Sequence, residues 1–191
     1  MFQARVFTLY PEVFPGPLAQ GLYGKAFINK LWNLSIINIR DSANDKHKTV
    51  DDTPYGGGTG MLLKADVVAK SLDQNVEKGE RIFYLSPKGK KLDQKFVRDL
   101  SKEKSISLIC GHFEGVDERV LTTRNIEEIS IGDYVLSGGE TAALVLLDSI
   151  LRLLPGVLGN DKSSADETFE NSLLEYPQYT KPQIWEGKSV P

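Results

Sequence analysis

The sequence predicts an α/β protein in which a largely parallel sheet carries helices on both faces. The first observation is that, from residue 80 onward, apolar runs of strand length alternate with amphipathic stretches of helix length. The second is that three successive predicted strands end in glycine-containing loops. The third is the composition of the 191-residue chain, 40% hydrophobic and 26% charged, which is typical of a globular protein with its own core.

The predicted elements follow the chain in a regular order. In the N-terminal third, strands at 2–9 and 34–40 flank a helical stretch at 17–30. We then predict a strand at 81–85, a helix at 92–103, a strand at 105–110, a helix at 116–124, a strand region at 126–135 and a helix at 140–154. From Gly159 the chain becomes polar, so we expect a domain at 1–159 and a linker with a short aromatic tail at 160–191.

Composition and charge narrow the classes of function. The longest apolar run, 142–147, is far shorter than the roughly 18 residues of a membrane span, and the N-terminus lacks the layout of a signal peptide. The single cysteine, Cys110, ends an apolar run, which indicates a packed residue in a reducing cytoplasm. Because the formal charge is −3, any contact with RNA phosphates must be made by local basic clusters. Two such clusters lie at 88–98 and 40–48, and the alternative interpretation is that they are ordinary solvated surface charge.

The glycine-containing loops lie at 85–89, 110–115 and 136–140. Ligands of parallel sheets bind outside the carboxyl ends of the strands, and glycine lets the backbone approach them closely. Each loop taken alone is equally typical of an ordinary strand-to-helix turn. The sequence holds no G-x-G-x-x-G, no Walker motif, no zinc spacing and no G-x-S-x-G elbow beside its two histidines, which disfavours the commonest nucleotide, zinc and serine-hydrolase sites.

Two further patterns each leave two interpretations open. Thr141, Asp148 and Arg152 form one polar stripe on the otherwise apolar helix at 140–154, so Arg152 either points into a site or pairs with Asp148 at i, i+4. The segment 50–60 places Asp51 and Asp52 before a run of glycines. It is predicted to be a loop. Either its aspartates hold a metal ion or orient a base and its glycines admit an RNA backbone, or it is a flexible surface loop.

Five sequence blocks together resemble the bacterial tRNA (guanine-N1)-methyltransferase family. They are TVDDxPYGGGxGM, YLSPxGxxLDQ, CGxxEGVDERV, SIGDYVLSGGE and LLPGVLG, in this order, and the likeness runs from residue 2 nearly to the end of the chain. The resemblance implies a SPOUT methyltransferase fold with a deep C-terminal trefoil knot. It also implies a cytoplasmic homodimer with a shared active site, which uses S-adenosylmethionine to methylate N1 of the guanine 3′ to the anticodon of tRNA.

The resemblance also implies the residues of the site. Those that bind the cofactor are Tyr84, Leu85, Ser86, Pro87, Gly111, Glu114, Ile131, Gly132, Asp133, Tyr134, Val135, Leu136, Gly138 and Gly139. Those that contact RNA are His47, Asp51, Tyr55, Gly57 and Lys88. No metal site is predicted, and a need for magnesium cannot be inferred.

For catalysis, the resemblance implies Arg152 as the group that stabilises charge on guanine O6, with a linker carboxylate as general base. Strict alignment favours Glu167 as the base, and a one-residue shift would make it Asp166. Family members usually continue past Pro191 into a helical domain that grips tRNA, so we expect this chain to grip tRNA weakly. A non-catalytic RNA-binding dimer of the same fold is the alternative.

Overall fold

The structure is a computed structural model that describes residues 1–158 and 177–191. Contacts within the chain divide it into two compact units, Met1–Gly159 and Asn160–Pro191. The first contains the sheet, the helices and both cores. In the second, the described residues form a two-stranded hairpin of β8 (Ile184–Trp185) and β9 (Lys188–Ser189). Glu186 and Gly187 both have positive φ, as a tight hairpin turn between two strands requires.

A five-stranded parallel sheet forms the centre of the first unit, with the strand order β2-β1-β6-β5-β7. Its strands are β1 (Phe2–Thr8), β2 (Trp32–Asn38), β5 (Arg81–Lys91), β6 (Ser105–Cys110) and β7 (Glu127–Ser130). The short strands β3 (Asp51–Asp52) and β4 (Leu62–Leu63) pair antiparallel outside the sheet. The central strands alternate their side chains between two cores, since Ala4 and Val6 of β1 enter one and Phe7 enters the other.

Helices cover both faces of the sheet, which confirms the α/β prediction. One core packs under α1 (Gly21–Ile28), α3 (Gln94–Leu100) and α5 (Glu140–Leu151), and the other packs under α2 (Ala65–Asn75) and α4 (Glu118–Thr123). Three 3-10 turns occupy Pro11–Val13, Gly16–Ala19 and Ile39–Ser42. Helix α5 contributes Ala143, Leu146, Leu147 and Ile150, all completely buried, so its apolar sequence is explained by its position in the first core.

The sequence analysis was wrong about several elements. The segment 61–79 was left unassigned but contains α2, whose buried Val67, Val68, Ser71 and Leu72 recur at helical spacing. The helix predicted at 17–30 is a 3-10 turn followed by α1, because Gln20 between them has an extended backbone, with φ −109° and ψ 165°. Asp51 and Asp52, predicted to be in a loop, belong to β3.

The observed ends of several helices and strands also differ from the predicted ends, because a capping side chain or a neighbouring strand determines where the element begins or stops. Strand β5 continues six residues past the predicted end at 85, because its second half pairs with β7 after a register shift between Leu85 and Lys90. Helix α3 begins late, at Gln94, since the Asp93 side chain caps it by accepting the Phe96 N–H at 2.7 Å. Helix α5 ends at Leu151 rather than at 154. The trefoil knot stays a prediction.

Candidate functional site

A cavity of about 290 Å³ lies at the register shift within β5 and beyond the carboxyl ends of β6 and β7, so the predicted loop at 85–89 is part of strand β5. The three glycine-containing loops surround it, so the structure brings together groups that the sequence placed 50 residues apart. Every predicted cofactor residue lines this cavity except Asp133. The Asp133 side chain is 87% exposed and accepts a hydrogen bond from Lys91 Nζ at 3.1 Å, outside the cavity.

Main chain rather than side chain forms two walls of the cavity. The Gly139 N–H donates a hydrogen bond to the Gly111 carbonyl at 3.0 Å. A Cβ atom at position 139 would lie 2.6 Å from the Cys110 Cα, so no residue other than glycine fits there without displacing the backbone. Gly138 is covered in the same way by the His112 ring. Close contact between these turns explains why both contain glycine.

Tyr84 supports the turn after β6 from below. A Cβ atom at Gly111 would lie 2.6 Å from the Tyr84 ring, and one at Gly115 would lie 3.0 Å from its hydroxyl. Burial, and secondarily the charge of Glu128, raises the pKa of the Tyr84 phenol, so the ring is neutral at physiological pH. A neutral, buried ring suits a group that supports a binding wall.

The rim of the cavity is apolar and exposed. Phe113, Tyr134 and Val135 are 51%, 54% and 83% exposed, which is unusual for side chains of this size. Phe113 also has a φ of +59°, a conformation that non-glycine residues adopt only when surrounding contacts hold them there. The lining carries three carboxylates, those of Glu114, Glu118 and Glu128, and one lysine, Lys88. The carboxylates outnumber the lysine, so the potential in the cavity is negative.

Glu140 and His112 were not predicted as site residues, but His112 lines this cavity and Glu140 lies directly behind it. The Glu140 carboxylate, at the first residue of α5, accepts a hydrogen bond from the Thr8 hydroxyl at 2.5 Å and lies 2.8 Å from His112 Nε2. Only 8% of the Glu140 side chain is exposed. The sequence did contain a signal for this pair, because His112 is the only histidine in the loop at 110–115 and Glu140 is the last residue of the loop at 136–140.

The lone cysteine also lies at this point, under the Gly139 turn. Cys110 is completely buried, and burial, with a smaller effect of the Glu140 charge, raises the pKa of its thiol well above the ordinary value. The thiol is therefore protonated and packed, as a structural cysteine is.

Arg152 lies away from the cavity of its own chain. It follows the last residue of α5, whereas the cavity is lined by residues at the start of that helix, roughly 18 Å away at 1.5 Å per residue. Its side chain is exposed. The Asp148 carboxylate accepts a hydrogen bond from the Tyr23 hydroxyl at 2.8 Å. Asp166 and Glu167 lie outside the described residues.

The predicted RNA-contacting residues are dispersed over the surface. Lys88 lines the cavity described above, and Tyr55, fully exposed, lines a second cavity of about 630 Å³ between the β3–β4 hairpin and α2. Gly57 is exposed with a φ of +88°, and Asp51 is half-buried in β3. His47 is exposed in a turn closed by Asp45, and the Thr49 side chain, hydrogen-bonded to Asp45, is the main cause that lowers the pKa of this carboxylate.

Residues 1–158 and 177–191 contain neither a candidate metal site nor a membrane-spanning helix. In this part of the chain, no group of three or more histidine, cysteine, aspartate or glutamate side chains is placed to hold a metal ion. Within the same residues, no helix is long and apolar enough to cross a membrane.

The structure is that of an α/β protein with a cavity lined by residues of β5 and of the turns that follow β6 and β7. Comparison with known proteins assigns the family: the model for tRNA (Guanine-1)-methyltransferase TrmD matches residues 2–191, and the chain belongs to this family. A tRNA (guanine-N(1)-)-methyltransferase of Pelagibacter ubique is 76% identical over 191 residues, covering 100% of this chain and 84% of that protein. Similarly named proteins of Brucella canis and Bartonella tribocorum are 57% and 56% identical over 190 residues, covering 100% of this chain and 78% and 82% of theirs.

Proposed function

We propose that this protein uses S-adenosylmethionine to methylate N1 of the guanine 3′ to the anticodon in tRNA. The observation that carries the proposal is the cavity walled by the Gly111 and Gly138–Gly139 turns, in a chain that belongs to a tRNA (guanine-1)-methyltransferase family. A site of bare main chain supports adenosine binding, because peptide N–H and C=O groups match the hydrogen-bonding edge of an adenine.

The residues of the cavity fit S-adenosylmethionine in size and chemistry. Its volume is close to the lower end, about 300 Å³, of the range for small-molecule sites. Leu85, Ile129 and Ala142 supply apolar surface for the faces of an adenine ring. Glu114, Glu118 and Glu128 complement the positive charges of the sulfonium and the amino group. When bound, S-adenosylmethionine supplies a methyl group made electrophilic by its positive sulfur.

Two groups of the protein act on the guanine. N1 carries a proton at neutral pH, so a carboxylate, Glu167 or Asp166, removes it and exposes the lone pair. Negative charge then grows on O6, and the Arg152 guanidinium stabilises it. Glutamate extends one methylene further than aspartate.

A homodimer explains how Arg152 reaches this reaction. Because Arg152 and the cavity lie at opposite ends of α5, one chain alone separates them by roughly 18 Å. A two-fold partner that packs antiparallel brings its own α5 end to the cavity, and each dimer then has two identical composite sites. Leu22, Ile28 and Val145, which are 49%, 79% and 43% exposed, supply apolar surface for such a contact.

Contacts with tRNA extend beyond the target base. Tyr55 offers an exposed ring for stacking, Lys88 a positive charge at the cavity rim, and Gly57 a backbone that RNA can approach. His47 and Asp51 complete the surface with polar groups. We assign residues 1–159 to cofactor binding and catalysis and residues 160–191 to a linker. The cytoplasm is the compartment in which the tRNA substrate occurs.

The test is to incubate the protein with unmodified tRNA and methyl-labelled S-adenosylmethionine and to map the labelled nucleotide. We expect label at N1 of the guanine 3′ to the anticodon, and none after that guanine is replaced by adenine. Label at another atom or nucleotide would refute the assigned reaction. Absence of label together with tight binding of S-adenosylhomocysteine would refute catalysis and retain the cofactor site.

A further inference from the structure

One carboxylate connects three separate elements behind the cavity. Glu140 begins α5, Thr8 ends β1, and His112 lies in the turn after β6. The Glu140 Oε1 accepts a hydrogen bond from the Thr8 hydroxyl at 2.5 Å, and its Oε2 lies 2.8 Å from His112 Nε2. Thr8 is completely buried, and 8% of the Glu140 side chain and 14% of the His112 side chain are exposed. Buried polar groups satisfied in this way hold their elements in one arrangement.

The chemistry of the pair specifies its hydrogen. An ionised carboxylate can only accept hydrogen bonds, so the hydrogen between the two side chains must be on His112 Nε2. The Tyr10 ring packs edge-on against the imidazole with centroids 4.9 Å apart, and the Tyr10 N–H donates to the Thr8 hydroxyl at 2.9 Å.

This pair is adjacent to the main-chain walls of the cavity. Gly138 lies between the two side chains, since a Cβ atom there would meet the His112 ring and would lie 2.7 Å from Glu140 Oε2. The neighbouring Gly139 N–H donates to the Gly111 carbonyl at 3.0 Å. The two turns are therefore joined twice, once through main chain and once through the His112–Glu140 bond.

We infer that Glu140 is a positioning residue which, through His112, sets the separation of the two main-chain walls that bind the adenosyl group. This inference rests on the proposed function and extends it, because neither side chain has to touch the reacting atoms. Losing the bond leaves a buried acceptor or donor without its partner and lets the Gly111 and Gly138 turns move apart. The cavity then loses affinity while the sheet stays folded.

The test compares variants by calorimetric titration with S-adenosylhomocysteine. We expect His112→Ala and Glu140→Ala to weaken binding about tenfold, since each leaves one buried polar partner unsatisfied. His112→Gln places an amide N–H near the position of Nε2 and should bind within about twofold of the wild type, because the donor is restored. The wild-type imidazole should show a protonated Nε2 in nitrogen NMR, and Glu140→Gln, whose amide can donate, should shift the proton to Nδ1.

Glu80 provides a matched control. It is also a buried carboxylate, with 1% of its side chain exposed, and it accepts hydrogen bonds from Ser107 and Arg5, the former at 2.5 Å. It immediately precedes the first residue of β5, and neither Glu80 nor its partners Ser107 and Arg5 line the cavity. Glu80→Gln should lower stability without weakening binding of S-adenosylhomocysteine.

Several outcomes would overturn the inference. Unchanged binding by His112→Ala, equal weakening by Glu80→Gln, or His112→Gln no better than His112→Ala each contradicts a positioning role. If Glu140→Ala fails to fold, the two His112 variants decide. A wild-type protein that binds no S-adenosylhomocysteine overturns the proposed function together with this inference, whereas a binding wild type with unaffected variants overturns the inference alone.

Discussion

Gly139 donates its N–H to the carbonyl of Gly111 at 3.0 Å, and this single bond joins the turns that follow two different strands. At the same point, a Cβ atom on residue 139 would lie 2.6 Å from the Cys110 backbone. The contact is therefore possible only between turns without side chains. This closeness leaves peptide groups at the surface of the cavity between the two turns.

Gly139→Ala should weaken both stability and ligand binding. The added methyl group must displace the Cys110 backbone, and overpacking of this kind costs about 1–3 kcal/mol. The same displacement separates the turns, so S-adenosylhomocysteine binding should fall at least tenfold or about 1.4 kcal/mol. Urea unfolding and calorimetric titration measure the two effects.

Gly79→Ala is the matched control for that substitution. Gly79 has a φ of +84° and open space around its Cα, so an alanine there is strained but meets no neighbour. We expect a loss of about 1 kcal/mol in the free energy of unfolding and unchanged ligand binding. Equal effects of the two variants on binding would show that general destabilisation, rather than the Gly139 contact, controls the cavity.

Cys110 should be inert to thiol reagents in the folded protein. Its complete burial raises the pKa of the thiol, so both access and the reactive thiolate are withheld. A disulfide-exchange reagent should modify the protein at the rate of unfolding in buffer, and within seconds in concentrated urea. Rapid reaction in buffer would mean that the Gly111 and Gly139 turns open without unfolding.

The Asp73–Arg124 ion pair between α2 and α4 predicts a small, acid-sensitive contribution to stability. Two guanidinium nitrogens of Arg124 donate to the Asp73 carboxylate at 3.0 and 2.7 Å, and this hydrogen bonding is the main cause that lowers the pKa of Asp73 from 3.8. The folded state binds this proton less tightly than the unfolded state. The stabilisation is therefore complete above about pH 4 and is lost as the pH falls through the lowered folded-state pKa.

Because 60% of the Asp73 side chain is exposed, solvent screens the pair, and we expect Asp73→Asn to cost at most about 1 kcal/mol at pH 7. Urea unfolding at pH 7 and at pH 3 measures the difference. In an Arg124→Gln background the same substitution should have no effect at either pH. A cost at pH 7 that persists in that background would attribute it to another contact.

Mixing two inactive variants tests whether the active site is shared between chains. Leu136→Asp places a charge on the partly exposed rim of the cavity, and Arg152→Ala removes the proposed charge-stabilising group. If each site combines the cavity of one chain with Arg152 of the other, an equal mixture of re-equilibrated chains should recover about a quarter of wild-type sites. Recovery of no activity, with mixed dimers demonstrated by mass spectrometry, would place both residues in the same chain.

The sequence was most informative where local pattern and final structure agree. The strand Ser105–Cys110 was predicted with its observed bounds, and the start of α5 at Glu140 was predicted as well. Both segments are strongly apolar and end at glycine or polar residues, so their burial was readable without knowledge of their neighbours. The three glycine-containing segments at 85–89, 110–115 and 136–140 were also readable locally, although only the structure shows that they share one cavity.

The remaining features depend on contacts between distant parts of the chain. Thr8 and Glu140 are separated by 132 positions in the sequence. No local sequence pattern predicts that the Glu140 carboxylate forms hydrogen bonds with both Thr8 and His112. The extension of β5 comes from pairing with β7, which follows it by more than 30 residues. The distance from Arg152 to the cavity could not be predicted, because it depends on which end of α5 lies at the cavity. Helix α2, in contrast, carried a readable apolar stripe and was overlooked.

The most direct test of the main-chain cavity is a titration of the isotope-labelled protein with S-adenosylhomocysteine, followed through its backbone amide NMR signals. We predict saturable shifts concentrated at residues 84–88, 111–115 and 131–139, with the Gly111 and Gly139 amides among the largest. Absence of shifts at millimolar ligand, or shifts centred on another surface, would contradict the assignment of this cavity as the methyl-donor site.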